Sequence, residues 1–198
     1  MFAAQGEGWG GSPPIATEWT VEARAGGVCL VRVVNSLFAS TDDWDNQLEG
    51  TEHGWPGFFR TLRIYLTHFR GQRSAIAQFM APVAGTETEA WETLAAAFGL
   101  GALRVGQHWT GPSDAPALSG VAEYVSQSPY DVLLRLETPG PGVAAFGAYG
   151  FPGGQSMVAM NLYLYGDHAA DTAARVTPLW QAWIQERFPA PTELEKST

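Results

Sequence analysis

Cys29 is the only cysteine in the chain, so no disulfide can form within it and nothing in its thiol content calls for an oxidising compartment. Placed in a run that reads as a strand, it is expected to be a small buried core residue rather than a nucleophile. Basic charge is scarce as well: 11 Lys and Arg stand against 20 Asp and Glu, for a formal charge of −9. Such a chain lacks the basic patches that nucleic acid and anionic membrane surfaces require. No stretch approaches the ~20 apolar residues of a membrane-spanning helix. The N-terminus has neither the basic segment nor the apolar run of a secretory leader. A cytoplasmic protein with no membrane insertion and no nucleic-acid partner is the expectation.

Signatures of metal and catalysis are missing too. The histidines are His53, His68, His108 and His168; none forms an HExxH pair, and no second cysteine completes a Cys/His set. Glu52 and His53 are adjacent, so on a helix their side chains diverge, and His53 reads as a hydrogen-bonded residue at a helix start. There is no Gly-x-Ser-x-Gly elbow. The Gly-rich pieces near residues 6–11 follow no expected strand, and Gly-Lys-Ser/Thr is absent, which excludes a phosphate loop. Asp42, Asp43, Asp45, Glu49 and Glu52 cluster at a helix start and read as a solvated face. No metal and no cofactor is expected.

The chain is instead rich in aromatics: eight Trp, ten Phe and six Tyr among 198 residues, with hydrophobic residues at 45%. Side chains of this kind fill cores and also line cavities for apolar ligands. The densest stretch follows Glu52-His53-Gly54-Trp55-Pro56. Pro56 suits the first turn of a helix, and Trp55, Phe59, Leu62, Leu66 and Phe69 then recur every three or four residues. With Phe58 and Tyr65 the stripe is too wide for an exposed helix.

Ahead of this helix, residues 1–14 read as a loop. Ile15–Arg24 alternates apolar and polar residues as a half-buried strand does. Gly26-Gly27 turns the chain, and Val28–Phe38 is the β-branched return strand. Ser40 or Thr41 is expected to cap a short helix, interrupted at Gly50 and Gly54 before the main helix of 55–69. Ser74–Val83 reads as a strand and Glu87–Phe98 as a helix ended by Gly99. Four strands are expected at 120–125, 132–137, 143–149 and 157–165. A last helix follows over 169–188, with Pro178 restarting or kinking it, and 190–198 is a polar tail. A hairpin-plus-helix pattern thus occurs twice, which suggests two related units.

The run Thr17-Glu18-Trp19-Thr20-Val21-Glu22, Gly26-Gly27, Arg32-Val33-Val34-Asn35-Ser36, Glu52-His53-Gly54-Trp55 and Leu62-Arg63-Ile64-Tyr65-Leu66 resembles the C-terminal half of a bacterial SRPBCC (START-like) domain. The nearest subfamily is the one named after the activator of heat-shock-protein ATPase. Ala81-Pro82, Glu89-Ala90-Trp91-Glu92-Thr93-Leu94 and the Trp-rich final helix resemble a second, diverged copy. The resemblance implies an α+β helix-grip fold, as in the birch allergen: a curved antiparallel sheet around a long C-terminal helix, with an apolar cavity between them. It divides the chain into 1–71, half of one domain; 72–190, a second domain; and 191–198, a tail. A complete first copy needs further strands and helices before Ile15. The chain is therefore expected to be a fragment, or its hairpin to extend the sheet of 74–165 or to pair across a homodimer, since an isolated hairpin is marginal in water.

For function, the resemblance implies a small apolar molecule held between sheet and helix. Trp19, Trp55, Phe59, Leu62, Trp180 and Trp183 are the expected lining, with Tyr65 beside them. Arg32, Arg63 and Asn35 supply polar contacts, and Glu123, Arg135 and Asn161 do so in the second unit. Catalysis is not expected. Two other readings stand beside this one. The first is a protein-interaction module related to chaperone ATPase activators, although a chaperone partner is disfavoured because only one domain of such activators is matched. The second is a cyclase or aromatase-like enzyme, which would use His53 or Arg63 inside the cavity.

Overall fold

The structure is a computed structural model that describes residues 2–6, 15–37, 45–127, 130–151 and 155–189. It divides into two compact units, Met1–Gly50 and Thr51–Thr198. In the smaller unit β1 (Phe2–Gly6), β2 (Ile15–Ala23) and β3 (Cys29–Leu37) form a three-stranded antiparallel sheet in the order β1-β2-β3. Gly26 and Gly27 turn the hairpin at φ 80° and 73°, a region that glycine enters without steric cost. The register sets Trp19 between Phe2 and Val33.

Two expectations change here. Part of the presumed loop of 1–14 is the strand β1, and the hairpin takes β1 as its partner instead of extending the sheet of 74–165. No local signal marks this strand, because Phe2-Ala3-Ala4-Gln5-Gly6 is too short and too poor in β-branched residues to read as one. Cys29 is exposed rather than buried, because it stands at the first position of β3. The expected cap at Ser40 or Thr41 and the tail of 191–198 lie outside the described residues.

The larger unit holds most of α1 (Asp45–His68), then β4 (Ser74–Ala84), α2 (Glu87–Phe98), β5 (His108–Thr110), β6 (Ser119–Gln127), β7 (Tyr130–Thr138), β8 (Gly142–Phe151), β9 (Gln155–Tyr165) and α3 (Ala169–Arg187). Its six strands form one antiparallel sheet in the order β4-β9-β8-β7-β6-β5. The first strand of the unit therefore pairs with the last, from Ser74 opposite Tyr165 to Ala84 opposite Gln155. This curved sheet and its C-terminal helix make a helix-grip fold. Strand β5 falls in the stretch that the sequence left unread.

The helices start and stop where local chemistry dictates. Thr86 caps α2 through a reciprocal capping box with Glu89, and Gly99 ends it at φ 66°. Two prolines behave unexpectedly. Pro56 lies inside α1, which runs unbroken past Gly50 and Gly54, and Pro178 lies inside a single α3. Both are exposed, so the carbonyl freed by each missing N–H can turn to water.

Strand alternation gives the sheet an inner and an outer face. On the inner face Phe79, Leu134, Phe146, Met160 and Leu162 meet Trp91, Leu94 and Phe98 of α2 and Val176, Trp180 and Ile184 of α3 in one buried core. On the outer face Leu133, Val143 and Tyr165 pack with Ile64 of α1 and Phe69 just beyond it. A register shift between Ala122 and Tyr124 inserts one residue into β6. Ala122 thus faces inward opposite Leu134, while Tyr124 faces outward opposite Leu133. A plain two-residue alternation would have put both on one face.

Candidate functional site

Between α3 and the inner face, aromatic rings meet edge to face and stacked. Phe98 lies 4.9 Å from Phe146, 5.0 Å from Trp183 and 5.8 Å from Trp180, and Trp180 lies 5.6 Å from Trp183. Trp109 closes the group 6.1 Å from Phe146. These side chains converge because α2 and α3 each present them one or two turns apart toward the same strands. Trp180 is 0% exposed.

Buried Trp N–H groups ordinarily find a partner. Trp109 does: its Nε1 donates to the carbonyl of Phe98 at 3.0 Å. Trp180 does not: its Nε1 is buried with no hydrogen-bond partner among the described residues. Among the described residues of this inner core the side chains are otherwise apolar, apart from Ser156, which donates to the carbonyl of Gly85. The site thus offers aromatic surface and one unanswered donor. Arg187 stands at its end, 5.6 Å over the Trp183 ring.

The residues expected to line one cavity are dispersed. Trp180 and Trp183 are in this core. Trp55, Phe59 and Leu62 are half-buried on α1, where Trp55, Phe58 and Phe59 form a ring cluster with centroids 5.6–5.8 Å apart. Arg63 is exposed on the same helix, and Tyr65 packs 5.2 Å from Tyr165 on the outer face. Trp19 and Arg32 belong to the smaller unit, half-buried and exposed respectively. The side chains of Asn35 and His53 lie outside the described residues. Helical periodicity could not separate these groups, because it reports that a face is buried and not against which side of a sheet.

The polar residues of the second unit also turn outward. Arg135 Nε donates to Glu123 Oε1 at 2.7 Å, and Gln78 donates to Asn161 at 3.3 Å. Asp131, which no sequence pattern singles out, accepts from Arg60 of α1 at 3.2 Å while its side chain is only 17% exposed. Arg60 in turn lies 4.0 Å over the Tyr124 ring that the bulge re-aims. Among the described residues no group of three His, Cys, Asp or Glu is placed to hold a metal.

Burial pushes the Asp131 carboxyl above its ordinary 3.8, with Arg60 opposing. Native Asp131 therefore holds its proton to higher pH than the unfolded chain does, and stability falls as pH rises through the carboxylate range. Asp131→Asn is expected to gain stability relative to the wild type between about pH 4 and pH 7, read as the difference in urea midpoints. A gap that stays flat or closes with pH would contradict burial as the cause. Burial acts on Tyr165 too, pushing its phenol up to about 12.

No family model and no curated protein matches the sequence. Solved structures of low identity resemble parts of this chain. An uncharacterised protein from Bacillus thuringiensis is 10% identical, with a TM-score of 0.43, covering 58% of this chain and 96% of its own. Norcoclaurine synthase from Thalictrum flavum, in complex with dopamine and hydroxybenzaldehyde, is 10% identical, with a TM-score of 0.41, covering 77% of this chain and 90% of its own. The Zhui aromatase/cyclase from Streptomyces sp. R1128 is 12% identical, with a TM-score of 0.35, covering 58% and 87%. Among the described residues no helix is long and apolar enough to cross a membrane.

Proposed function

We propose that the larger unit binds a small, mainly apolar molecule between α3 and the inner sheet face, with one acceptor oxygen of that molecule on Trp180 Nε1. The observation that carries this reading is the buried, unpartnered indole donor amid aromatic rings. A donor withheld from water without an acceptor costs about 1–3 kcal/mol, and a ligand carbonyl or hydroxyl would recover that. The rings are in contact, so entry requires one of them to shift aside. Apolar burial at ~25 cal/mol per Å² would supply most of the affinity.

Binding is preferred to catalysis because no carboxylate, imidazole or thiol is buried among the described residues, whose only buried polar side chains are Thr61 and Ser156. Arg63, a candidate for a cyclase-like role, lies on exposed α1 surface. The family proposed is the START-like group related to the activator of heat-shock-protein ATPase, in a ligand-binding and not a chaperone-partner role.

Thermal shift and native mass spectrometry with aryl ketones, each paired with the hydrocarbon of the same shape, test the reading. The ketones are expected to bind more tightly than their hydrocarbons by ~10-fold, which corresponds to one net hydrogen bond. Trp180→Phe, which keeps a ring and deletes the donor, should abolish that preference. Equal binding of each pair, or no binding at all, would contradict it.

A further inference from the structure

Strand β4 ends the six-stranded sheet, and its outer side has no partner strand among the described residues. Its sequence, Ser-Ala-Ile-Ala-Gln-Phe-Met-Ala-Pro-Val-Ala, contains no charged residue. Long edge strands are ordinarily guarded by charge, by proline or by bulges, because their open backbone groups template further pairing. Here Pro82 alone interrupts the strand, and Ile76 and Met80 stand 54% and 57% exposed.

The pairing with β9 determines which backbone groups of β4 are open. The carbonyl of Arg73 accepts from the N–H of Gly166, just past β9, so odd-numbered residues of β4 direct their backbone toward β9. Alternation then turns the N–H and C=O of Ile76, Gln78 and Met80 outward. Pro82 agrees with this phase, since it has no N–H to give β9. The inward side chains Ala77, Phe79 and Ala81 are buried in the core, which fixes the register against slippage.

This edge is self-complementary. In an antiparallel pairing centred on Gln78, Ile76 of one copy meets Met80 of the other, and Gln78 meets Gln78. Each of these pairs can exchange two backbone hydrogen bonds, and the apolar pairs stack across the junction. Charge agrees as well. Arg70 and Arg73 precede the strand, and Glu87 and Glu89 follow it in the first turn of α2. Only the antiparallel arrangement brings the basic end of each copy beside the acidic end of the other. For a chain of net charge −9, a neutral strand flanked by opposite charges is where two copies can meet with least repulsion.

We propose that β4 is a self-association edge on which a second copy of this chain pairs about a two-fold axis through Gln78. The surface is distinct from the N-terminal hairpin, and the proposal is independent of ligand binding. Sedimentation velocity of the full chain over a concentration series should show a monomer–dimer equilibrium. Met80→Lys, a change at an exposed position, should weaken it by at least ~10-fold in Kd with an unchanged circular-dichroism spectrum. In a Cys29→Ser background, oxidised Gln78→Cys should form a covalent dimer, because paired Cα atoms in such a ladder lie within disulfide reach. Val105→Cys, 62% exposed before the opposite edge strand β5, should not. A wild type that is monomeric at every concentration, a dimer indifferent to Met80→Lys, or equal cross-linking at Gln78→Cys and Val105→Cys would overturn the proposal. The first of these outcomes would leave the edge to a strand from a different protein.

Discussion

Trp180→Ala is expected to lower the unfolding free energy by about 3–5 kcal/mol, the cost of emptying a fully buried aromatic site. Trp180 is 0% exposed and touches Phe98 and Trp183, so the space left by its ring cannot close without moving α3. Trp180→Phe should behave differently and cost no more than about 1.5 kcal/mol, because a ring remains and the indole donor it deletes has no partner to lose. Trp109→Phe provides the contrast. It removes the donor to the carbonyl of Phe98 and should cost about 1–3 kcal/mol for the carbonyl left unanswered, beyond any packing loss. Urea unfolding of the three variants checks this order. A Trp180→Phe cost that matches or exceeds that of Trp109→Phe would mean that the Trp180 N–H is satisfied after all.

Phe69→Ala is expected to cost about 3–5 kcal/mol as well, from the other side of the sheet. Phe69 is 6% exposed and stacks on Tyr165 at 4.7 Å with the rings 22° apart, next to Tyr65 and Ile64. The C-terminal end of the α1 stripe, Tyr65 with Phe69 beside Ile64, therefore has its apolar partner in the outer face of the six-stranded sheet. The exposed Leu66, on the same helix, serves as the control, and Leu66→Ala should change stability by no more than about 0.5 kcal/mol. Equal small effects from both substitutions would show that α1 does not rest on that face.

The elements that sequence placed well are those with a strong local period. Ser74–Ala84, Glu87–Phe98 and Gln155–Tyr165 carry clear alternation or a capped helical stripe, and their bounds came within two residues. Both faces of the last strand are apolar in sequence and both are covered, since Leu162 meets the inner core and Tyr165 the outer one. What failed depended on information that no local window holds. Pro56 read as a helix start and Pro178 as a restart or kink because the cost of each is local, whereas the long helices that absorb them gain from packing along their length. The bulge at Glu123 is invisible without the facing strand. The candidate site suffered most. A buried Trp reads the same whether it serves the inner core, as Trp180 does, or packs on another element, and the pairing of Asp131 with Arg60 joins residues far apart in sequence. The missing acceptor of Trp180 is a property of three-dimensional surroundings alone.

That missing acceptor is best observed directly. In a ¹⁵N-labelled sample the indole N–H of Trp180, assigned by its loss in Trp180→Phe, is expected to resonate upfield of the hydrogen-bonded Trp109 indole and to move downfield when acetophenone is added. Its failure to move while acetophenone binds, or a position already typical of a hydrogen-bonded indole in the free protein, would contradict the account.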